Sequence, residues 1–322
     1  MVVGYRRSCP KGPQTESGVA DANQRRRLRT GGSFGRFCVP GKRLIRPVRV
    51  RRPSTLPVDW RDFGRSLVPF GLLVTSAAFP PLRIPVLVAL AAGTCVAIAR
   101  GAPVRWAWAA AVPVAVSLAW YVWAAPVSAP DGSDCANPWS PVAIWRVLQA
   151  IVVLATLVGL THTLRTTKSS LLLRWPTRPI VRWSIVGFLV SGPVALVLGP
   201  IVAQPFFGPV SYDVTILGAL VPALIFAIAN GTMEELIFRG ALLGWSSKVV
   251  GAGPALVGQA VVFGLAHSGS DVLGNHLLLS LAVGAGGLIA GVVAIRTRSL
   301  MLPIAVHVGL DIPIYYAFAC AT

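Results

Sequence analysis

Three short strings late in the chain hold the residue types that hydrolysis needs. The first is Asn230-Gly231-Thr232-Met233-Glu234-Glu235-Leu236-Ile237-Phe238-Arg239, between apolar flanks, and it contains two of the three Glu in the protein. Glu235 and Arg239 stand i,i+4 on a helix, in the order that favours an ion pair. Glu234 points about 100° away on an α-helix and lacks that partner. One carboxylate therefore reads as structural and the other as available. The second string is Phe263-Gly264-Leu265-Ala266-His267, and the third is His307-Val308-Gly309-Leu310-Asp311, with His307 and Asp311 again i,i+4. With a loop expected at Ser246–Gly253, two antiparallel helices bring Glu234 and His267 to nearly the same depth. Glu234, His267, His307 and Asp311 can then converge. A desolvated carboxylate can take a proton from water, a neighbouring imidazole can orient that water, and a second can support an oxyanion. Glu234, His267 and His307 also form a set that can bind a divalent metal such as zinc, although no HExxH string is present.

The elements that must position these groups are membrane helices. The chain of 322 residues is 54% hydrophobic and 12% charged, with a mean hydropathy of +0.69. Residues 1–65 hold 16 of the 29 Lys and Arg, so the remainder lacks the charge to solvate a globular surface. Apolar stretches fall at about 66–80, 82–99, 104–125, 142–164, 183–203, 213–230, 254–268, 277–295 and 299–318. The first two, split by Pro80-Pro81, form either a hairpin or one broken helix, so the expectation is an all-α polytopic bundle of eight or nine transmembrane helices. Basic residues alternate with acidic or uncharged loops as the positive-inside rule requires, with the N-terminus cytoplasmic and Arg83 as the one misfit. The organisation is a basic arm over 1–65, disordered by its composition, and a transmembrane domain over 66–322. The expected location is integral to the plasma membrane, with lipid as the principal partner.

The series Glu234-Glu235-x-x-x-Arg239, Phe263-x-x-x-His267 and His307-x-x-x-Asp311 resembles the motifs of the CPBP family of intramembrane peptidases. That family includes the CAAX prenyl endopeptidase type and bacterial proteins linked to bacteriocin self-immunity. The resemblance covers about residues 213–318. It implies a protease in which Glu234 and His267 activate water, His307 and Asp311 support the oxyanion, and Glu235 and Arg239 are a structural pair. It also implies a peptide or protein substrate, lipidated or not, and leaves open a metalloprotease or a metal-free glutamate mechanism. The family has Asn or Asp at the last position, and an ionised Asp cannot donate to an oxyanion. Asp311 is therefore expected either to fix the tautomer of His307 or to join a metal's shell, in preference to being protonated. The alternative from another class is a non-catalytic immunity or accessory protein that keeps the motif for stability.

Other features read more plainly. His162 and His276 have no partner at useful spacing. Trp60, Trp106, Trp139, Trp183 and Trp245 fit an aromatic belt at the membrane borders. Gly284, Gly286, Gly287 and Gly291 let helices approach closely and carry no phosphate-binding pattern. Five scattered Cys give neither metal nor redox spacing, with Cys135 alone in an expected external loop. The basic clusters lack aromatic interleaving, so nucleic acid is not an expected partner. A proton-coupled carrier also uses intramembrane Glu and His, but no inverted repeat accompanies them here.

Overall fold

A computed structural model describes residues 60–123, 135–137, 139–207, 216–267 and 276–320. The chain divides into Met1–Ser54 and Thr55–Thr322, and every described residue belongs to the second unit. The basic arm up to residue 59, Asp131, Asp134 and Asp271 lie outside the described residues. The described residues are all-helical, with no strand among them. Helices α1 (Trp60–Ala78), α2 (Arg83–Ala99), α3 (Arg105–Trp123), α4 (Pro141–Thr163) and α5 (Arg178–Phe207) lead to a long composite rod. That rod is α6 (Leu220–Glu234), a π-helical segment (Glu235–Leu243) and α7 (Gly244–Val250). Helices α8 (Ala252–Ala266), α9 (His276–Thr297) and α10 (Met301–Ala319) complete the chain. With the composite rod counted once, nine rods stand among the described residues, matching the higher of the two expected counts. Five are long and apolar enough to cross a membrane: Pro80–Ala99, Pro141–Thr163, Arg178–Ile201, Leu217–Val250 and Leu277–Thr297.

Local chemistry explains the breaks. Pro80-Pro81 ends α1 and starts a single 3-10 turn, so the first two stretches form a hairpin. Helix α1 starts at Trp60, ahead of the boundary expected at residue 65, and carries Arg61 and Arg65 on its first turns. Ser246–Val250, expected as loop, is helical, and the reversal is confined to Gly251 at φ +84°, a left-handed conformation natural to glycine.

Packing is close where side chains are small. Helix α3 buries Ala109, Ala110, Ala111, Val114 and Ala115 at the centre of the main core. Gly264 of α8 lies against Ser280 and Gly284 of α9, and Gly287 lies against Phe263, as the glycine-rich string predicts. A Cβ on Gly231 would stand 3.1 Å from Val308, so α6 and α10 meet nearly backbone to backbone. One sequence expectation fails in the packing. Trp245 is fully buried and lies edge-on to Trp106 at 6.3 Å, so it belongs to the core and not to a membrane-border belt. Cys135 is joined by a disulfide to Cys320, 185 residues away, which the absence of any CxxC spacing concealed. It fastens the end of α10 to the segment before α4, where Tyr315 Oη also donates to the Cys135 carbonyl.

Candidate active site

The polar cluster forms where the rod changes its winding. Glu234 is the last α-helical residue of α6, and Glu235 opens the π-helical segment. An i→i+5 repeat widens the turn, and such segments recur at functional sites. Adjacent carboxylates that an α-helix would splay apart both reach one imidazole here. The Nδ1 of His307 donates to Glu235 Oε1 at 3.0 Å, and its Nε2 lies 3.6 Å from Glu234 Oε2. The close contact at Gly231 brings His307 of α10 to this depth.

Glu235 Oε1 also accepts from Arg239 Nη1 at 2.9 Å, and the side chains of this pair are 2% and 1% exposed. The expected ion pair is present, but Glu235 does more than hold Arg239. It fixes the tautomer of His307 by taking the proton on Nδ1. That function was expected of Asp311. Asp311 Oδ1 lies 3.7 Å from Nε2, too far for a hydrogen bond, and its Oδ2 accepts from Asn230 Nδ2 at 2.9 Å. Asn230 is a site residue that sequence reasoning missed, though it stands one turn before Glu234 and begins the same string.

His267 ends α8, with Nδ1 2.8 Å from the Phe263 carbonyl. A carbonyl only accepts, so Nδ1 carries the proton and Nε2 is the free nitrogen of the neutral ring. The Phe263 ring lies 4.8 Å from the His267 ring, 6.4 Å from that of His307 and 4.1 Å from the guanidinium carbon of Arg239. His267 thus flanks the cluster across an aromatic ring. Among the described residues it forms no ion pair with Glu234 or Asp311, and no three His, Cys, Asp or Glu side chains are arranged to hold a metal ion. The set Glu234, His267 and His307 does not fit a zinc cage as placed. Glu234 Oε2 is buried without a hydrogen-bond partner, as are Glu235 Oε2, Asn230 Oδ1 and Arg239 Nε, and the Glu234 side chain as a whole is 12% exposed.

A second polar feature lies inside an apolar run and escaped the sequence reading. Arg146 of α4 donates from Nη1 to Tyr121 Oη at 2.8 Å and to Gln149 Oε1 at 2.7 Å. Its guanidinium carbon also stands 5.2 Å from the Phe226 ring of α6. The only sequence signal was an Arg five residues into an apolar stretch, easily taken for a helix-end residue.

No curated protein and no solved structure matches the chain. The family model of type II CAAX prenyl endopeptidases, Rce1-like, matches residues 216–312, and its description is that of a protease. Those residues include all three strings, and the helices that bear them close around His307. Over residues 216–312 the chain is similar to that family, which supports its membership of the CPBP family.

Proposed function

We propose that the protein is an intramembrane endopeptidase of the CAAX type, with Glu234 as the base that activates water. The observation that carries this reading is the edge between Glu234 Oε2 and His307 Nε2, 3.6 Å apart. Glu234 Oε2 is the one cluster carboxylate oxygen that is buried, unpaired and next to a free imidazole nitrogen. With Nδ1–H committed to Glu235 and three carboxylates around the ring, His307 acts as an imidazolium whose Nε2–H is a donor. A water at this edge donates to Glu234 Oε2, and Nε2–H is placed to support the oxyanion.

Glu234 takes one proton as the water oxygen adds to the peptide carbonyl. It returns that proton to the amide nitrogen as the C–N bond breaks, so one water is consumed and two peptide ends form. His267 acts from the far side of Phe263, where its unprotonated Nε2 serves as an acceptor that helps Glu234 orient the water. Asp311, held by Asn230, completes the wall around Nε2. The Glu235–Arg239 pair positions His307 and does not touch substrate. As placed among the described residues, these donors do not close into a metal cage. The substrate is a membrane peptide or a protein segment, lipidated or not, and the long apolar helices support a site within a membrane, proposed here to be the plasma membrane.

The test uses purified full-length protein and a membrane-peptide library. Wild type should cleave, and Glu234→Gln should lose about two to four orders of magnitude in rate while keeping its melting temperature. Parallel reactions with a chelator report on metal. Full activity in Glu234→Gln would remove Glu234 as base. Folded but inactive wild type would favour the non-catalytic immunity or accessory reading.

A further inference from the structure

Two connections at one end of the bundle gather exposed cations. The one from α4 to α5 holds Arg165, Lys168, Arg174 and Arg178, and the one from α9 to α10 holds Arg296 and Arg298, all exposed. The Arg174 amide donates to the Arg298 carbonyl at 3.3 Å, which joins the two connections into one surface. Among the described residues no acid pairs with these six side chains.

The backbone adds a second observation. Arg165 (φ +49°) and Arg298 (φ +53°) follow α4 and α9 in the left-handed region that favours glycine. At Arg165 the two bonds of a Schellman turn are complete, from its own amide to the His162 carbonyl and from Thr166 to Thr161, each at 3.0 Å. Glycine would make both turns without the steric cost, yet a charge stands in each. A helix dipole or the positive-inside rule accounts for single basic residues here, but not for their gathering across two bonded connections. Beside them Trp175 is 94% exposed and Trp183 64%, and the indoles continue into the exposed apolar face of α5 at Ile185, Val186 and Leu189. Rings that run from cations into an apolar face match the border of a bilayer, where the cations meet phosphates.

This surface is seated on the framework of the candidate site. Gly240 follows Arg239 in the π-helical segment, and a Cβ there would stand 3.4 Å from the Leu171 carbonyl and 3.5 Å from the Leu300 side chain. Leu171 and Leu300, one from each connection, are both buried. Helix α10, which carries His307, begins at the next residue, Met301.

We propose that the two connections form a platform for the phosphodiester headgroups of anionic phospholipids, and that a headgroup held across both steadies the π-helical segment against the foot of α10. Lys168 and Arg174 meet the phosphate from one side and Arg298 from the other. The platform goes beyond the peptidase reading and stands whether or not the chain cleaves peptides.

The test titrates fluorescent short-chain phosphatidylglycerol, and phosphatidylcholine as its zwitterionic counterpart, onto full-length protein in neutral detergent. Phosphatidylglycerol should bind at least about tenfold more tightly. Lys168→Gln combined with Arg174→Gln should weaken it about 25-fold, at about fivefold for each cation. Arg298→Gly, which keeps the left-handed turn without strain, should weaken it about fivefold while the melting temperature holds or rises. Arg100→Gln combined with Arg105→Gln, in the α2–α3 turn, should leave binding within about twofold. Equal affinity for the two lipids, or an equal loss in the Arg100 and Arg105 variant, overturns the platform and reduces the charge to a topology signal. Displacement by inorganic phosphate at equal concentration overturns it in favour of a soluble anion, and tighter binding of a short RNA in favour of nucleic acid. In nanodiscs, phosphatidylglycerol should also slow amide exchange at residues 240–244 about tenfold relative to phosphatidylcholine, and not in the Lys168 and Arg174 variant. Selective binding without that slowing upholds the platform and overturns its link to the π-helical segment.

Discussion

The two groups of buried charge differ in how far they satisfy themselves. Around His307, three carboxylates meet one guanidinium, one imidazole and one amide, and Glu235 Oε1 and Asp311 Oδ2 accept hydrogen bonds that tie the cluster together. Around Tyr121, two guanidinium groups meet a phenol, a glutamine and aromatic rings, with no acid from the described residues. The first cluster is closed on itself by these bonds, with Glu234 Oε2, Glu235 Oε2, Asn230 Oδ1 and Arg239 Nε left buried without a partner. The second is open, its cations resting on aromatic faces and neutral oxygens, with Arg146 within electrostatic range of Glu234 and Asp311. Fixed geometry is useful at a bond-breaking centre, because small displacements there cost rate.

This comparison predicts that the closed cluster is the mechanically critical one. Arg239→Ala should have the largest effect on stability. It leaves Glu235 buried and ionised without its cation, a loss of about 3–5 kcal/mol, read as a steep fall in melting temperature in detergent or nanodiscs. A loss no greater than that of Arg146→Gln would mean that the pair is not what holds the π-helical segment. Asn230→Ala should cost less, about 1–3 kcal/mol, because it removes one donor from Asp311 and leaves the rest of the cluster in place. Its activity should also fall, since Asp311 is then free to approach Nε2 of His307. Unchanged stability together with unchanged activity would exclude Asn230 from the site.

The sequence revealed the parts of this arrangement that local spacing determines. Glu235 and Arg239, and His307 and Asp311, are i,i+4 pairs, and the nine apolar stretches give the nine rods. The match over residues 216–312 bears out the family resemblance that those motifs suggested. Hidden from the sequence was whatever depends on departure from α-helical winding or on contacts between distant segments. Glu235 reaches His307 because the rod becomes π-helical at that residue, and a 100° wheel places the two Glu on different faces. Arg146 is one charge in an apolar run, and its meaning lies in Tyr121, 25 positions earlier, and Phe226 on another helix. Trp245 looks interfacial by type and position, yet its burial follows from the Ala-rich surface of α3 and from Trp106.

The smallest effect comes from the fastening at the end of α10, and it tests whether the two clusters are mechanically linked. Tyr315 lies one turn beyond Asp311, tilts against Phe226 at 5.7 Å, and donates to the Cys135 carbonyl at 3.0 Å. Phe226 in turn lies under Arg146, so a single aromatic contact joins the helix of His307 to the cationic cluster. Tyr315→Phe keeps the ring and removes only the hydroxyl. The disulfide between Cys135 and Cys320 still holds the helix end, so the loss should be about 0.5–1.5 kcal/mol in stability, with little change in cleavage rate. If cleavage instead falls further than in Asn230→Ala, the outer fastening governs the site more than its own hydrogen bonds do. The closed cluster would then depend on the open one.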